Sequence, residues 1–86
     1  MFHSQDESRL LIRALVDARH AAGLTQAQVA EALGCPQSFV SKYEQGERRL
    51  DVIEFVRVCQ TIGADPLPIV ATIRDLHDTK VHAHRR

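Results

Sequence analysis

The chain predicts an all-α fold, a compact bundle of five short helices. Three observations carry that prediction. Apolar residues recur at three- and four-residue spacing along most of the chain, and no run alternates as a strand would. Thr25, Asp51 and Asp65 stand where helices need capping side chains. Gly23, Gly34, Gly46 and Gly63 fall just after successive helical patterns, where a chain leaving a helix needs a positive φ. Eighty-six residues make a single domain, read here as residues 1–78 with a polar, flexible tail at 79–86.

The first helix starts near Ser4, with Glu7 completing a capping box, and carries Leu11, Leu15, Ala18 and Ala22 on one face with Ile12 and Val16 beside them. Gly23 stops it. The second begins at Thr25 with Gln28 at the matching capping-box position, turns Val29, Ala30 and Leu33 inward, and ends at Gly34. The third opens at Pro36, whose missing N–H suits a first turn, and closes at Gly46. The fourth has Asp51 as cap, Glu54 three residues on, a stripe of Val52, Phe55, Val58, Cys59 and Ile62, and Gly63 as its stop. The fifth has Asp65 as cap, Pro66 at its first position, and Leu67, Val70, Ile73 and Leu76 at helical spacing.

Composition narrows the function. Eleven basic and eleven acidic residues give a formal net charge of zero, which argues against a strongly basic nucleic-acid binder but leaves the sign of a local face open. No apolar run reaches membrane-spanning length and no signal-peptide pattern opens the chain, so it reads as a cytoplasmic protein without a membrane partner. Cys35 and Cys59 form no Cys-x-x-Cys pair, so neither a zinc site nor any other cofactor is expected. Cys59 belongs to an apolar stripe. Cys35 stands at a helix start, where a thiol pKa can fall and redox sensing can arise, but a small turn residue filling space is the preferred reading. The His82-x-His84 pair, with His77 before it, reads as exposed tail histidines rather than as metal ligands. No nucleophile stands at a sensible spacing from a base, and no glycine loop is built to cradle phosphate, so no enzyme is expected.

The second and third helices carry the functional signal. The turn at Gly34 and Cys35 is too short to let them lie antiparallel, so they cross steeply and the outer face of the third is left free. On that face Gln37, Ser38, Ser41 and Lys42 fall at i, i+1, i+4 and i+5, while Val40 points to the core and Tyr43 packs toward the fourth helix. An α-helix fits the major groove of duplex DNA, where Gln can pair with adenine and Lys can donate to guanine. Without the turn, the same four residues would read as a solvated helix face.

Leu24-Thr25-Gln26, Val29-Ala30, Gly34, Val40-Ser41, Glu44, Gly46 and Arg48 together resemble the lambda-repressor/Cro-type helix-turn-helix family, also called the XRE family, over residues 9 to 72. The resemblance implies a lambda-repressor-like five-helix bundle that binds double-stranded operator DNA as a homodimer. It implies phosphate contact at Thr25 and Gln26, base reading by Gln37, Ser38 and Lys42 with Ser41 beside them, and backbone contacts from Arg48 and Arg49. It also implies an ion pair between Arg19 and Glu44, tying the first helix to the third. Three positions depart from the family pattern. Pro36 stands where a capping Ser or Thr is frequent, Cys35 where Val is common, and Leu50 where Pro is frequent. Phe39 falls near the DNA side, either touching a thymine methyl or packing locally. The function implied is a sequence-specific transcriptional regulator, a repressor by preference. The alternative is a protein-interaction module, or the antitoxin of a toxin–antitoxin pair, using the fifth helix with its apolar face, or the tail, to hold a protein partner. The apolar stripe of that helix can serve as core or as a dimer seam, and domain size with DNA binding favours at least partial use in a dimer.

Overall fold

The structure is a computed structural model that describes residues 5–85, with side chains described as far as Leu76. It is all-α: α1 (Gln5–Ala21), α2 (Gln26–Leu33), α3 (Gln37–Glu44), α4 (Val52–Ile62) and α5 (Pro66–Arg85). No strand occurs among the described residues. Ser4, and with it the expected capping box of the first helix, lies outside the described residues, as do the side chains of His77, His82 and His84.

Capping chemistry sets the helix starts. Thr25 Oγ1 accepts from the Gln28 amide at 3.1 Å and Gln28 Oε1 accepts from the Thr25 amide at 2.9 Å. Asp51 and Glu54 repeat this reciprocal arrangement at α4, at 2.7 and 2.9 Å. Asp65 caps α5 by accepting from the Leu67 amide at 3.0 Å. In each box two otherwise orphaned donors are satisfied before the helix begins. Pro36 departs from expectation by one residue. It is the N-cap of α3, with φ −66° and ψ 151°, and provides no side-chain cap. Its ring fixes the extended entry into α3 instead of the first helical turn.

The turn between α2 and α3 is closed by backbone alone. Gly34 adopts φ 73°, its amide donates to Glu31 O at 3.1 Å, and the Cys35 amide reaches back to Ala30 O at 3.0 Å. The last carbonyls of α2 are thereby satisfied within two residues, and the chain is turned straight into α3.

The core is drawn from four helices. Leu15 of α1, Val29 and Ala30 of α2, Val40 and Tyr43 of α3, and Phe55, Val58, Cys59 and Ile62 of α4 are all buried. Each fully buried aliphatic or aromatic side chain here contributes roughly 1.5–3 kcal/mol through removal from water. Val52 departs from its predicted stripe: it is 77 % exposed, because it occupies the first turn of α4, before that helix meets the core. α5 departs as well. Leu67 is 73 % and Val70 51 % exposed, whereas Ile73 and Leu76 of the predicted stripe are half-buried and Ile69 packs against the core, so the buried face takes in only the second half of that stripe. α5 packs against α1, and Pro68, Ile69 and Thr72 line a hollow there with Leu10 and Ala14. The helix also continues past Asp78 to Arg85, over residues expected to form a tail. The sequence offers no Gly or Pro after Pro68 to stop it. No helix among the described residues is long and apolar enough to cross a membrane.

Two measurements test this packing. A Cβ at Gly34 would meet nothing within 4 Å, so Gly34→Ala is penalised only through its φ of +73°. The expected loss is about 1 kcal/mol, a fall in Tm of roughly 4–8 °C by calorimetry; an unchanged Tm would show that the turn tolerates a different backbone. The second concerns Tyr43, which is 2 % exposed. Burial, with Glu44 close by, pushes its phenol up from 10.0 to about 12. Because the folded pKa lies above the unfolded one, this contribution to stability is complete below pH 10 and is lost as pH rises toward about 12. Tyr43 is the one tyrosine in a chain without tryptophan, so phenolate absorbance follows it directly. Its midpoint should stand well above 10 and coincide with alkaline unfolding. Ionisation at the ordinary pH with the helices intact would contradict the burial.

Candidate nucleic-acid interface

The short α2–α3 turn places α3 so that one side is core and the other is water. Val40 and Tyr43 are buried, while Gln37, Ser38 and Lys42 are exposed and Ser41 is half-buried at the edge. None of these four polar side chains makes an intramolecular hydrogen bond among the described residues. Their donors and acceptors are therefore open to base edges or phosphates. Gln37 also lines a shallow hollow with Leu24, Thr25, Gln26 and Ala27, so the N-termini of α2 and α3 come together on one surface.

That surface is held from behind by one carboxylate. Glu44 receives Arg19 Nε at 2.7 Å and Nη2 at 3.0 Å, and Gln26 Nε2 at 2.9 Å. Arg19 spends a further donor on Leu24 O at 2.9 Å. The pair is shielded, with side chains 11 % and 6 % exposed. The expected Arg19–Glu44 pair is thus present, in bidentate form. Its hydrogen bond and charge push Arg19 upward, against the opposing effect of burial. Gln26, expected on phosphate, has its amide nitrogen on Glu44; spacing alone gave no sign of this bond, because the two residues lie on different helices.

Arg48 and Arg49 are alike in sequence and differ in structure. The Arg48 guanidinium grips Glu54 through Nη1 at 3.0 Å and Nη2 at 2.8 Å, and Nη1 also donates to Arg49 O at 2.8 Å. It lies 4.6 Å from the centroid of the Phe39 ring. Arg48, and then the Asp51 amide, hold the Glu54 carboxyl below its usual range. Phe39 is half-buried and meets Tyr43 edge-on at 5.6 Å, so it packs locally. Arg49 is exposed, and its guanidinium has no partner among the described residues. Cys35 is half-buried, and burial pushes its thiol up, opposite to the lowering that a helix start would give. Cys59 is buried and its thiol is likewise raised.

The Glu44 junction makes a stability prediction. Glu44→Ala leaves the Arg19 fork shielded without its acceptor and should lower stability by about 3 kcal/mol in urea unfolding. The double change Arg19→Met with Glu44→Leu should lose less, since no charge is then stranded. Equal losses in the two proteins would mean that packing at these positions, not the pair, carries the effect.

Comparison with known proteins accords with this geometry. Residues 11–69 match the model of a helix-turn-helix domain family. Among solved structures, an XRE-family like protein from Pseudomonas syringae pv. tomato str. DC3000 is 47% identical, covering 84% of this chain and 88% of that one with a TM-score of 0.79. A comparison with curated proteins finds no match. With its capped α2, glycine turn and exposed α3 face, the chain belongs to the XRE-type helix-turn-helix family of DNA-binding regulators.

Proposed function

We propose that the chain is a sequence-specific transcriptional regulator, a repressor that binds a palindromic operator as a homodimer through the major groove. The observation that carries this reading is the division of α3. Its Val40 and Tyr43 side is buried, and its Gln37, Ser38 and Lys42 side presents unengaged polar groups. In this reading Gln37, Ser38 and Lys42 read base edges and Ser41 works from the edge of the face. Thr25, the first amides of α2 and the second N–H of the Gln26 side-chain amide approach phosphate, and Arg49 contacts the backbone from the loop. Repression follows from occupancy of the operator. The family points to binding rather than catalysis.

The dimer has a candidate surface. Every large hydrophobic side chain that stands well exposed among the described residues lies on α4 or α5: Val52, Ile53, Leu67 and Val70. A second copy applied to these helices would remove them from water. The same exposure is what favours the second reading, a protein-interaction module or antitoxin whose partner covers that face.

Selection from a random duplex library at near-physiological salt tests the proposal. The expected product is a palindrome with half-sites about one helical turn apart. Lys42→Ala should then lose roughly 1–3 kcal/mol on that operator and relax base preference at its position. Arg49→Ala should weaken operator and random DNA alike and reduce the salt slope by about one. A folded protein that enriches no sequence would reverse the ranking of the two readings.

A further inference from the structure

Groove reading leaves one contact group without a role: the Phe39–Arg48–Glu54 cluster between α3 and α4. Arg48 follows Gly46 and Glu47 in the loop leaving α3. Its fork closes on Glu54 at 2.8 and 3.0 Å, and its guanidinium lies 4.6 Å from the Phe39 ring centroid. Glu54 Oε1 at the same time accepts the Asp51 amide at 2.9 Å, so the carboxylate that starts α4 is the one that holds Arg48.

We propose that Arg48 is a positioning residue of the DNA-reading face and not a phosphate contact, clamping Phe39 of α3 to Glu54 of α4 and thereby fixing the loop that carries Arg49. The proposal rests on the DNA-binding reading above for its functional consequence; the clamp itself does not. Three considerations support it. Three of the five guanidinium donors are already engaged, and the charge is matched by a carboxylate at 2.8 Å. A phosphate approaching Arg48 would meet Glu54 as well, and the two negative charges oppose the gain from the cation. The loop is tied to the reading helix at a functional point: the Glu47 and Arg48 amides both donate to the Lys42 carbonyl, at 2.9 and 3.3 Å. A displaced loop therefore disturbs the peptide of a residue proposed to read bases. Only arginine fits the position, because a lysine ammonium cannot both fork onto a carboxylate and stack on a ring.

The experiment compares Arg48→Lys, Arg48→Gln, Glu54→Gln and the Arg48→Gln/Glu54→Gln double variant on the duplex recovered by selection, with Kd measured across a salt series. Glu54→Gln keeps an acceptor for the Asp51 amide, so the α4 cap survives. A clamp predicts that every variant, Arg48→Lys included, binds about tenfold more weakly. It predicts that the double variant is no worse than either single one and that the salt slope is unchanged. A phosphate contact predicts the reverse: Arg48→Lys binds like the original protein, Glu54→Gln binds more tightly, and Arg48→Gln loses about one in slope. That pattern would overturn the proposal. A second readout needs no DNA. The amides of Glu47 and Arg48 should exchange with deuterium about tenfold faster in Arg48→Lys and Glu54→Gln, and unchanged exchange would overturn the clamp. If the original protein binds no duplex, the functional reading falls and amide exchange alone decides the clamp.

Discussion

Glu44 is the constraint on which the placement of the exposed α3 face depends. It is the last residue of α3, yet its carboxylate takes hydrogen bonds from Arg19 of α1 and Gln26 of α2. Arg19 extends the junction to Leu24 O, just ahead of α2. Helices of eight residues do not hold themselves in water, and α2 and α3 are both that short. Their mutual angle must come from outside them. Burial of Val29, Ala30, Val40 and Tyr43 gives them a reason to pack, but apolar contact is non-directional and tolerates rotation. A bidentate carboxylate at 2.7 and 3.0 Å does not. The junction therefore selects one orientation among several that the core alone would accept, a role better suited to a shielded ion pair than a large gain in stability.

α3 is fixed at three points along its length. The glycine turn at Gly34 holds its beginning, Val40 and Tyr43 hold its middle, and Glu44 holds its end, with Phe39 lodged edge-on against Tyr43. What remains free is the row Gln37, Ser38, Lys42. Side chains on a helix so restrained lose little backbone freedom when they meet a ligand, so more of each contact appears as affinity. The missing side-chain cap at Pro36 belongs to the same economy. The ring sets the entry angle by restricting φ and leaves no capping oxygen to compete for the first amides of α3.

Much of this was legible in the sequence because it is local. Thr25 with Gln28 and Asp51 with Glu54 are three residues apart, and Gly34 stands at the one place where a steep turn needs positive φ. Spacing of that kind is read along the chain without knowing the fold. The Arg19–Glu44 pair is not local, and it was reached only through family resemblance. The bonds that join helices without such a guide were not legible: Gln26 to Glu44, and Arg48 to Glu54 across a loop. Arg48 and Arg49 illustrate the limit. Adjacent residues of the same type received the same role, and only the position of Glu54 and Phe39 separates them. On α5 the ambiguity was of rotation: Leu67, Val70, Ile73 and Leu76 fit one helical stripe, yet Ile69 packs against the core and Leu67 and Val70 are left in water while Ile73 and Leu76 are half-buried. The end of α5 escaped for a different reason, since polarity after Asp78 says nothing against a helix when no breaker follows.

A formal net charge of zero now has a structural meaning. Two arginines near the proposed reading surface are paired in place, Arg19 with Glu44 and Arg48 with Glu54, so their positive charge adds little to the external field. Lys42 and Arg49 remain unpaired there, and Glu47 stands in the same loop. Long-range steering by so few charges is weak at physiological salt, where the Debye length is about 8 Å. Recognition on such a surface must draw on short-range terms: the fit of α3 into the groove, hydrogen bonds to base edges, and helix-start amides on phosphate. Short-range terms from one small domain are modest. In the proposed dimer the second reading helix engages at high effective concentration once the first is seated, which multiplies the two contributions without any further positive charge. On this proposal a neutral chain that reads DNA depends on pairing more than a basic one does, and the exposed apolar residues of α4 and α5 are the surface proposed for it.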